Sequence, residues 1–538
     1  MADDISADIL IVGTGVAGAI AGAKLAAKGL SVAFLETGKR IDRYESVERF
    51  WSAKIKVPES AYPNDPEASH PLSHRIEEFY QQQGPELFKS TYIKVVGGTT
   101  WHWLGTTLRN LPSDFKLKTL YGHGVDWPIG YDDLEPFYLA AENEIGVAGN
   151  SAEDLGSPRS GDYPMPEIPM TYLDKHFLAA LNGTRYEVKG TPQGRNSVYR
   201  QERPECCGNN SCIPICPIQA KYDATVHVAL AEQAGAKVYE QTTATKLNVG
   251  ADGMITSVDF RRADGSKGTA SGKVVIVAAH ALETPRLLLN SAQDNAPNGV
   301  ANSSDQVGRN LMDHPTRLSW AEAAEPVWPY RGPLSTAGIE NLRDGDFRKQ
   351  RGAFRIEIGN DGHSWPTGAP ASTAAELAAK GLRGEELNAA IKDATSRQIR
   401  LASLVEQSPD AENRVTLDPD KRDANGVPLP RIHFDFDDYT RSGLEAAQAA
   451  HDEIFKALGA TNIKHSPDIQ GAGHIIGTVR MGEDARSAVV DSDLRSFDHP
   501  NLFLLGSGTF PTSATANPTL TIAALSLRSV DAIAASVR

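Results

Sequence analysis

The stretch Asp8-Ile-Leu-Ile-Val12, followed by Gly13-Thr-Gly-Val-Ala-Gly18, decides how the first part of this chain folds. Four consecutive apolar residues after Asp8 predict a buried parallel strand. The glycines form a GxGxxG pattern, and the Ala-rich stretch that follows predicts a helix to about Lys28, ending at Gly29. A second predicted strand, Ser31–Leu35, ends beside Glu36. The pattern therefore predicts a complete β–α–β unit.

Each glycine of this unit has a predicted physical task. Gly13 allows a tight turn, Gly15 allows the backbone to approach a pyrophosphate, and Gly18 allows the helix to pack on the strand. The helix N-terminus offers unpaired N–H groups and the positive end of its dipole to phosphates. Glu36 suits the two hydroxyls of an adenosine ribose. We predict a dinucleotide site here; the alternative is a Gly-rich turn without a ligand.

Length and composition exclude several classes of protein. The chain has 538 residues, which corresponds to roughly three or four ordinary domains or to two large intertwined ones. Its 40% hydrophobic and 23% charged residues are ordinary for a soluble protein, and no stretch approaches the roughly 18–20 apolar residues of a membrane span. The 54 basic and 68 acidic residues leave a net charge of −14, which argues against general nucleic-acid binding.

All four cysteines lie within residues 206–216, in the run CCGNNSCIPIC. So short a run disfavours separate disulfides, whereas thiolates at this spacing suit an iron–sulfur cluster or zinc. Adjacent Cys206 and Cys207 point in divergent directions, so we do not expect both to bind one metal centre. Cys216 followed by Pro217 also occurs at the end of ferredoxin-like runs. Three ligands with one spare cysteine is the simplest interpretation; zinc, and plain thiols or disulfides, stay open as alternatives.

Periodicity predicts further elements along the chain. Strands are predicted over 235–239 and 273–279, and helices over 370–396, 439–458 and from 517 onward. Three alternating segments predict half-solvated antiparallel strands: Gln398–Glu406, Asn413–Leu417 and Arg431–Phe436. The predicted fold class is α/β, with a doubly wound, Rossmann-type domain assembled from discontinuous segments and an inserted α+β region on an antiparallel sheet.

These motifs together resemble the glucose–methanol–choline (GMC) flavoprotein oxidoreductases over nearly the whole chain. Besides residues 13–18 and Glu36, the resemblance is carried by VGGTT (96–100), AAHALETP (278–285), VGRNLMDHP (307–315), HIIGTVRMG (474–482) and NPTLT (517–521). The cysteine run, GGTTWHW (97–103) and NSSD (302–305) are similar to one subgroup. That subgroup comprises the large, catalytic subunits of bacterial dehydrogenases of glucose, fructose, sorbitol and gluconate.

The resemblance implies FAD as cofactor and the GMC fold. An FAD-binding domain would comprise residues 1–110, 205–318 and 468–538, with 206–216 as an iron–sulfur loop, and a substrate-binding domain would comprise 111–204 and 319–467. Further FAD contacts are implied at Gly97, Gly98, Thr99, Thr100, Ala244, Ala278, Pro518 and Thr519. The subgroup implies a [3Fe–4S] cluster held by Cys206, Cys212 and Cys216, with Cys207 free for a disulfide to a small partner subunit.

Candidate catalytic residues follow from the chemistry of alcohol oxidation. A hydride leaves an alcohol carbon only when the hydroxyl proton is also removed, and histidine suits that task near neutral pH. The resemblance implies that His474 is this base and that Asn517, 43 residues later, orients the substrate oxygen or stabilises charge on it. Asn517 as a simple helix N-cap is the alternative. His314 and His499, each beside a proline, are predicted to be structural loop residues.

The expected function is an FAD-dependent dehydrogenase that oxidises a hydroxyl of a sugar, polyol or sugar acid, with a glucose-type aldose favoured. By the same resemblance, electrons would leave through the cluster to a cytochrome c or quinone. The alternatives are a gluconate, fructose or sorbitol dehydrogenase of the same type, an oxidase that forms hydrogen peroxide and needs no cluster, and a GMC-like lyase or inactive flavin-binding subunit.

Two departures from the family leave the sugar open. Gly506 stands where the family often carries an aspartate that meets the cofactor, so that contact is not carried over. Leu104–Leu108 lacks the Ala/Trp-rich run expected in the glucose and fructose enzymes.

Partners and location are also expectations. Residues 1–6 lack the basic and apolar regions of a secretory signal, which taken alone indicates a cytoplasmic protein. The resemblance instead implies a small subunit that carries an export signal and a membrane-bound multihaem cytochrome c subunit. Together they would hold the chain on the periplasmic side of the inner membrane.

Overall fold

The structure, a computed structural model, describes residues 4–52, 76–90 and 92–537. In chain order the strands are β1 (Ile5–Val12), β2 (Val32–Leu35), β3 (Gln81–Gln83), β4 (Val188–Gly190), β5 (Lys237–Tyr239), β6 (Thr242–Val249), β7 (Ile255–Arg262), β8 (Lys267–Val277), β9 (Pro315–Glu322), β10 (Ala337–Ile339), β11 (Phe354–Gly359), β12 (Gln398–Val405), β13 (Arg414–Arg422), β14 (Pro428–His433), β15 (Thr461–His465), β16 (Gln470–Gly471) and β17 (Leu502–Leu504). The α-helices are α1 (Val16–Ala27), α2 (Arg43–Ser52), α3 (Leu117–Tyr121), α4 (Tyr131–Ile145), α5 (Tyr172–Ala180), α6 (Thr225–Gln233), α7 (His280–Asn290), α8 (Ser364–Thr367), α9 (Ala371–Ala379), α10 (Gly384–Arg397), α11 (Asp438–Ala457) and α12 (Thr519–Ala535).

The first sheet contains the β–α–β unit. Its strand order is β5-β2-β1-β8-β7-β6, and β17 pairs with β8. β5, β2, β1, β8 and β17 run parallel, while β7 pairs antiparallel with both β6 and β8. Ile9, Leu10 and Ile11 in β1 are fully buried, as expected for a strand with neighbours on both edges and helices on its faces. The predicted strand–helix–strand start is confirmed.

Three glycines allow α1 to lie directly against the sheet. A Cβ atom at Gly13 would stand 2.5 Å from the carbonyl oxygen of Ala278, beyond the end of β8, and Gly13 has a φ of +100°. A Cβ at Gly18 would stand 2.3 Å from the Gly13 carbonyl oxygen, and one at Gly22 would stand 2.1 Å from the ring of Phe34. The glycine pattern therefore reflects a crossing too close for any side chain.

The second sheet is antiparallel. Its order is β15-β9-β12-β11-β10-β4, and β16 also pairs with β9. All eight residues of β12 are buried, so the half-solvated strand predicted over Gln398–Glu406 was wrong in that respect. β12 has partner strands on both edges, and the apolar stripe of α11 packs on the sheet. The apolar core between this sheet and α11 is distinct from that of the first sheet.

The other two predicted strands form a separate small sheet. β13 and β14 pair antiparallel, and β3 pairs in parallel with β14. The stretch 370–396, predicted as one helix, is divided into α9 and α10. Gly381, with a φ of +98°, lies in the break, and a left-handed backbone ends a helix. The helices predicted over 439–458 and from 517 correspond to α11 and α12.

The sheets draw on segments far apart in the chain. The first sheet takes strands from within 5–277 and from 502–504, whereas the antiparallel sheet takes them from 188–190 and from within 315–471. The domain boundaries given above stay a prediction. Among the described residues, no helix is long and apolar enough to cross a membrane.

We expect Gly18→Ala to destabilise the fold. Its Cβ would clash with the backbone of Gly13, which has no flexible side chain to move aside, and overpacking of this kind costs about 1–3 kcal/mol. Gly15→Ala is the matched control, because a Cβ at Gly15 meets no atom within 4 Å. Thermal unfolding of the cofactor-free protein should give a lower midpoint for Gly18→Ala alone. Equal midpoints for both variants would contradict this account.

Candidate active site

One large cavity, about 850 Å³ in volume, connects the glycine-rich turn with the antiparallel sheet. Its wall includes Gly13 and Gly15 from the β1–α1 turn and Arg400 from β12. His474 and Asn517 lie on the same wall. Both predicted sites, for the dinucleotide and for the chemistry, therefore open into one space.

The glycine-rich end of the cavity has room for a dinucleotide. A Cβ at Gly15 would meet no atom within 4 Å, so the backbone there faces open space. Gly98 lies across from it, with a φ of +57° and a Cβ position 3.2 Å from the Gly15 Cα. These residues form a cradle that a side chain would fill, as binding of the FAD pyrophosphate to backbone N–H groups requires.

Glu36 stabilises this turn as well as lining the cavity. Its carboxylate accepts hydrogen bonds from the backbone N–H and the hydroxyl of Thr14, at 3.0 and 2.6 Å, and from the backbone N–H of Gly38 at 2.8 Å. Burial raises the pKa of Glu36 above its usual value. The carboxylate thus holds the end of β2 against the β1–α1 turn.

Most of the residues predicted to contact FAD lie on the cavity wall. These are Gly13, Gly15, Glu36, Gly98, Thr99, Thr100, Ala244, Ala278, Pro518 and Thr519. Gly18 and Gly97 do not line the cavity. Gly18 packs against Gly13, and the backbone N–H of Gly97 donates to the Thr14 hydroxyl at 3.1 Å, so these two shape the cradle from behind. Gly506, at the departure from the family pattern, also lies on the wall.

His474 and Asn517 are brought together as a pair. Asn517 Nδ2 lies 3.2 Å from His474 Nε2. The Asn517 Oδ1 atom accepts a hydrogen bond from Arg355 Nη1 at 3.2 Å. Asn517 is not the helix N-cap, because α12 begins at Thr519 with Pro518 in the capping position.

Arg355 is a site residue that the sequence reasoning missed. Its buried guanidinium forms ion pairs with Glu340 at 2.9 Å and Glu357 at 2.5 Å. A buried arginine is tolerated only when such partners compensate its charge. The pairing of β11 with β10 brings Arg355 close to Glu340. Asn517 lies 162 residues after Arg355 in the chain, so no local sequence signal could have identified Arg355 as a site residue.

His314 was predicted to be a structural loop residue, but it contacts the candidate base directly. His314 Nδ1 lies 2.8 Å from His474 Nδ1, and His314 Nε2 lies 2.8 Å from the carbonyl oxygen of Ala514. Asp313 Oδ1 accepts the backbone N–H groups of His314 and His474, at 2.7 and 2.9 Å. The sequence analysis noted the segment Asp313-His314-Pro315, but His314 and His474 are 160 residues apart in the chain. The sequence alone therefore did not indicate their contact.

The environment of His474 keeps its imidazole neutral. Burial lowers the pKa of His474 well below 6.5, and the nearby His314 and Arg355 lower it further. A neutral imidazole has one nitrogen without a hydrogen, and on the cavity wall that nitrogen can accept a proton from a bound hydroxyl. His499, by contrast, binds the carbonyl oxygen of Gly253 at 2.8 Å and does not line this cavity.

The substrate-facing wall carries charged and aromatic groups. Arg400 Nε donates to Asp361 at 2.8 Å, and the Arg400 guanidinium lies 5.1 Å from the ring centroid of Trp365. Arg400 Nη1 is buried and has no hydrogen-bond partner among the described residues. Glu357 and the Leu104–Thr106 segment line the same cavity. An unpartnered buried donor beside carboxylates fits a ligand that brings its own hydroxyl groups.

The four cysteines differ in exposure. Cys207 is exposed, Cys212 is buried, and Cys206 and Cys216 are half-buried. Burial raises the pKa of Cys206. Over the described ranges, no group of three or more His, Cys, Asp or Glu side chains converges on one metal ion. In an iron–sulfur cluster each thiolate binds its own iron atom, so the three sulfurs need not converge on one point.

A buried cation lies beside the cysteine run. Lys221 Nζ donates to the carbonyl oxygens of Trp101 and Cys212, at 3.1 and 2.7 Å, and its backbone N–H points at Cys216 Sγ at 3.5 Å. Burial lowers the pKa of Lys221 to about 8, and the neighbouring thiols oppose that shift. A positive charge and an N–H group directed at sulfur suit thiolate ligands.

Comparisons with known proteins agree with this arrangement. Models of the GMC oxidoreductase family match residues 175–316 and 409–526. The chain is 38% identical to the fructose dehydrogenase large subunit of Gluconobacter japonicus, over 99% of this chain and 98% of that protein. It is 25% identical to the gluconate 2-dehydrogenase flavoprotein of Pantoea cypripedii, over 98% and 93%. The crystal structure of a formate oxidase superposes with a TM-score of 0.67 over 99% of both chains at 16% identity, which shows a shared fold.

The lowered pKa of His474 predicts the pH dependence of the reaction. Because the imidazole is already neutral at pH 6.5, flavin reduction by substrate should not slow as the pH falls through that value. The rate should fall only at more acid pH, where His474 takes up a proton. Stopped-flow measurement of flavin bleaching at saturating substrate tests this, with flavin fluorescence at each pH as the control for cofactor loss. The prediction would be contradicted if the wild-type rate fell to half its maximum near pH 6.5 and a His474 variant lacked this pH dependence.

Proposed function

We propose that this chain, which belongs to the GMC oxidoreductase family, is the catalytic subunit of an FAD-dependent sugar dehydrogenase. One observation carries the proposal: the His474–Asn517 pair opens into the same cavity as the dinucleotide cradle. A hydroxyl-bearing carbon can therefore lie between a proton acceptor and a bound flavin. The similarity to the fructose and gluconate dehydrogenase proteins supports the same class of reaction.

The protein's own residues account for the proton side of the reaction. When bound, FAD supplies the hydride acceptor. His474 Nε2 accepts the hydroxyl proton as the C–H bond breaks. Asn517 Nδ2, beside that nitrogen, donates to the substrate oxygen and holds it within reach of His474. Arg355 holds the Asn517 amide in this orientation by donating to its oxygen.

The substrate that we propose is a monosaccharide, with fructose ahead of glucose. The sequence motifs favoured a glucose-type aldose, but the 38% identity to a fructose dehydrogenase large subunit over nearly the full length supports a ketose first. The wall around Arg400, Asp361 and Trp365 can bind several hydroxyl groups at once. Polyols and sugar acids such as sorbitol and gluconate are the next candidates.

Electrons are proposed to leave through a [3Fe–4S] cluster held by Cys206, Cys212 and Cys216. Such a cluster would supply a one-electron exit toward a cytochrome c or quinone. The exposure of Cys207 and the burial of Cys212 support Cys207 as the cysteine that does not bind iron. Lys221 supports a negatively charged group in this loop.

A small subunit and a membrane-bound multihaem cytochrome c subunit are the proposed partners. The relative from Gluconobacter is itself named a large subunit, and Cys207 is exposed and available for a disulfide. Partner subunits of this kind would place the chain on the periplasmic side of the inner membrane; a cytoplasmic location is the alternative.

Substrate and reaction type can be tested together. We expect fructose to reduce a dye acceptor faster than glucose, sorbitol or gluconate, with little hydrogen peroxide formed under air. His474→Ala should lower the rate of flavin reduction by on the order of 10²–10⁴-fold while FAD stays bound. His176→Ala, at a half-exposed residue of α5, serves as the control and should keep full activity. Peroxide as the main product would indicate the oxidase alternative, and full turnover in His474→Ala would exclude His474 as the base.

The cysteine assignment predicts the metal content of four variants. Replacing Cys206, Cys212 or Cys216 singly by serine should lower bound iron and acid-labile sulfide, whereas Cys207→Ser should keep both. Iron and sulfide analysis with electron paramagnetic resonance measures this, and FAD content shows whether each variant is folded. Wild-type protein without iron, when isolated under anaerobic conditions with its partner subunits, would exclude the cluster.

A further inference from the structure

The two histidines at the site form a hydrogen-bonded chain that begins at a backbone carbonyl. His314 Nε2 contacts the Ala514 carbonyl oxygen at 2.8 Å, and His314 Nδ1 contacts His474 Nδ1 at 2.8 Å. The two rings are nearly perpendicular, at 86°. The role of His314 deepens the function proposed above and rests on it.

The direction of every bond in this chain follows from its first acceptor. A carbonyl oxygen can only accept, so His314 Nε2 must carry a hydrogen. A neutral His314 then has a lone pair on Nδ1, and the short contact requires that His474 Nδ1 carry the hydrogen. His474 Nε2 is therefore an acceptor, with a lone pair and no hydrogen.

A protonated His314 would carry a hydrogen on Nδ1 and would donate to His474 Nδ1 instead of accepting from it. The surroundings of His314 disfavour this protonated form. The His314 side chain is fully buried. Within the described part of the chain, its ring nitrogens bind a carbonyl oxygen and another imidazole rather than a carboxylate. Burial lowers the pKa of His314 to about 4. The carboxylate of Asp313 binds backbone N–H groups on the other side.

A second, independent series of hydrogen bonds, from Arg355 through Asn517 to His474 Nε2, indicates the same tautomer of His474. Arg355 can only donate, so the atom of Asn517 that it contacts at 3.2 Å must be the amide oxygen. The Asn517 NH₂ group therefore faces His474 Nε2 at 3.2 Å. A donor at that position requires a lone pair on His474 Nε2.

We propose that His314 is a positioning residue that holds His474 in the tautomer with a hydrogen on Nδ1 and a lone pair on Nε2. In the reaction, His474 Nε2 would accept the hydroxyl proton of the sugar as the C–H bond of the same carbon breaks and a carbonyl group forms. FAD, when bound, would supply the hydride acceptor. The imidazolium produced is stabilised by its Nδ1–H bond to His314. The opposite tautomer of His474 would present a hydrogen to the substrate and could accept nothing.

A matched pair of variants separates this role from simple packing. Asparagine at 314 places an acceptor oxygen near the position of Nδ1, whereas glutamine reaches the position of Nε2 and keeps the bond to Ala514. Both are polar and similar in size. We expect His314→Asn to keep most of the wild-type rate of flavin reduction, and His314→Gln to lose on the order of 10–100-fold. The sugar dissociation constant should change little in either.

Stopped-flow flavin reduction over a range of sugar concentrations, with FAD-loaded protein, gives both constants. Equal rates in the two variants, or a wild-type rate in His314→Gln, would overturn the proposal. His474→Gln is measured alongside. Wild-type protein whose flavin no sugar reduces would refute the proposed function, and a wild-type rate in His474→Gln would exclude His474 as the base. A slow His474→Gln together with equal rates in the two His314 variants would refute only the positioning role.

The tautomer can also be read directly in the wild-type holoenzyme, which removes any dependence on variant folding. Nitrogen-15 resonances of labelled histidine, assigned to His474 by comparison with His474→Gln, distinguish a protonated ring nitrogen from an unprotonated one. We expect a protonated Nδ1 and an unprotonated Nε2. The reverse assignment would overturn the proposal.

Discussion

The buried carboxylate of Asp313 is the interaction on which the site depends. It lies just before β9, where the chain enters the antiparallel sheet, and it accepts the backbone N–H groups of His314 and His474 as well as the hydroxyl of Ser90. Burial raises the pKa of Asp313 to about 6, so keeping this carboxylate inside the protein lowers the stability of the fold. What the protein gains is a fixed distance between two loops that are 160 residues apart in the chain.

Polar groups at this site are satisfied in only one arrangement. The Ala514 carbonyl oxygen can only accept and the Arg355 guanidinium can only donate. His474 lies between the two series of hydrogen bonds that begin at these groups. Because buried polar groups are costly when unpaired, each series excludes the reversed orientation of its members. The result is a base whose Nε2 carries a lone pair rather than a hydrogen before any substrate binds, which is the preorganisation that catalysis requires.

How much could be predicted from the sequence differed between the two halves of the cavity. The glycine-rich turn and Glu36 are contiguous, and their physical tasks follow from local geometry, so strand, helix and cradle were predictable. His474 and Asn517 were predictable only through resemblance to a family. Arg355 and His314 were not predicted, because a buried arginine on β11 and a histidine beside a proline look the same in sequence whether or not they meet an active site. The prediction that β12 is half-solvated was wrong for a related reason, since an alternating sequence does not show what covers the second face of a sheet.

The sequence by itself determined the β–α–β start, the closely packed glycines, the clustering of the cysteines and the class of chemistry, because each depends on residues near one another in the chain or on a recognisable set of motifs. Only the tertiary structure decided that the cradle and the base share one cavity, that Asn517 does not cap its helix, and that His314 contacts His474. Hydrogen bonds at these positions join loops from both sheets, and their direction is set by a carbonyl and a guanidinium whose neighbours appear only once the chain has folded.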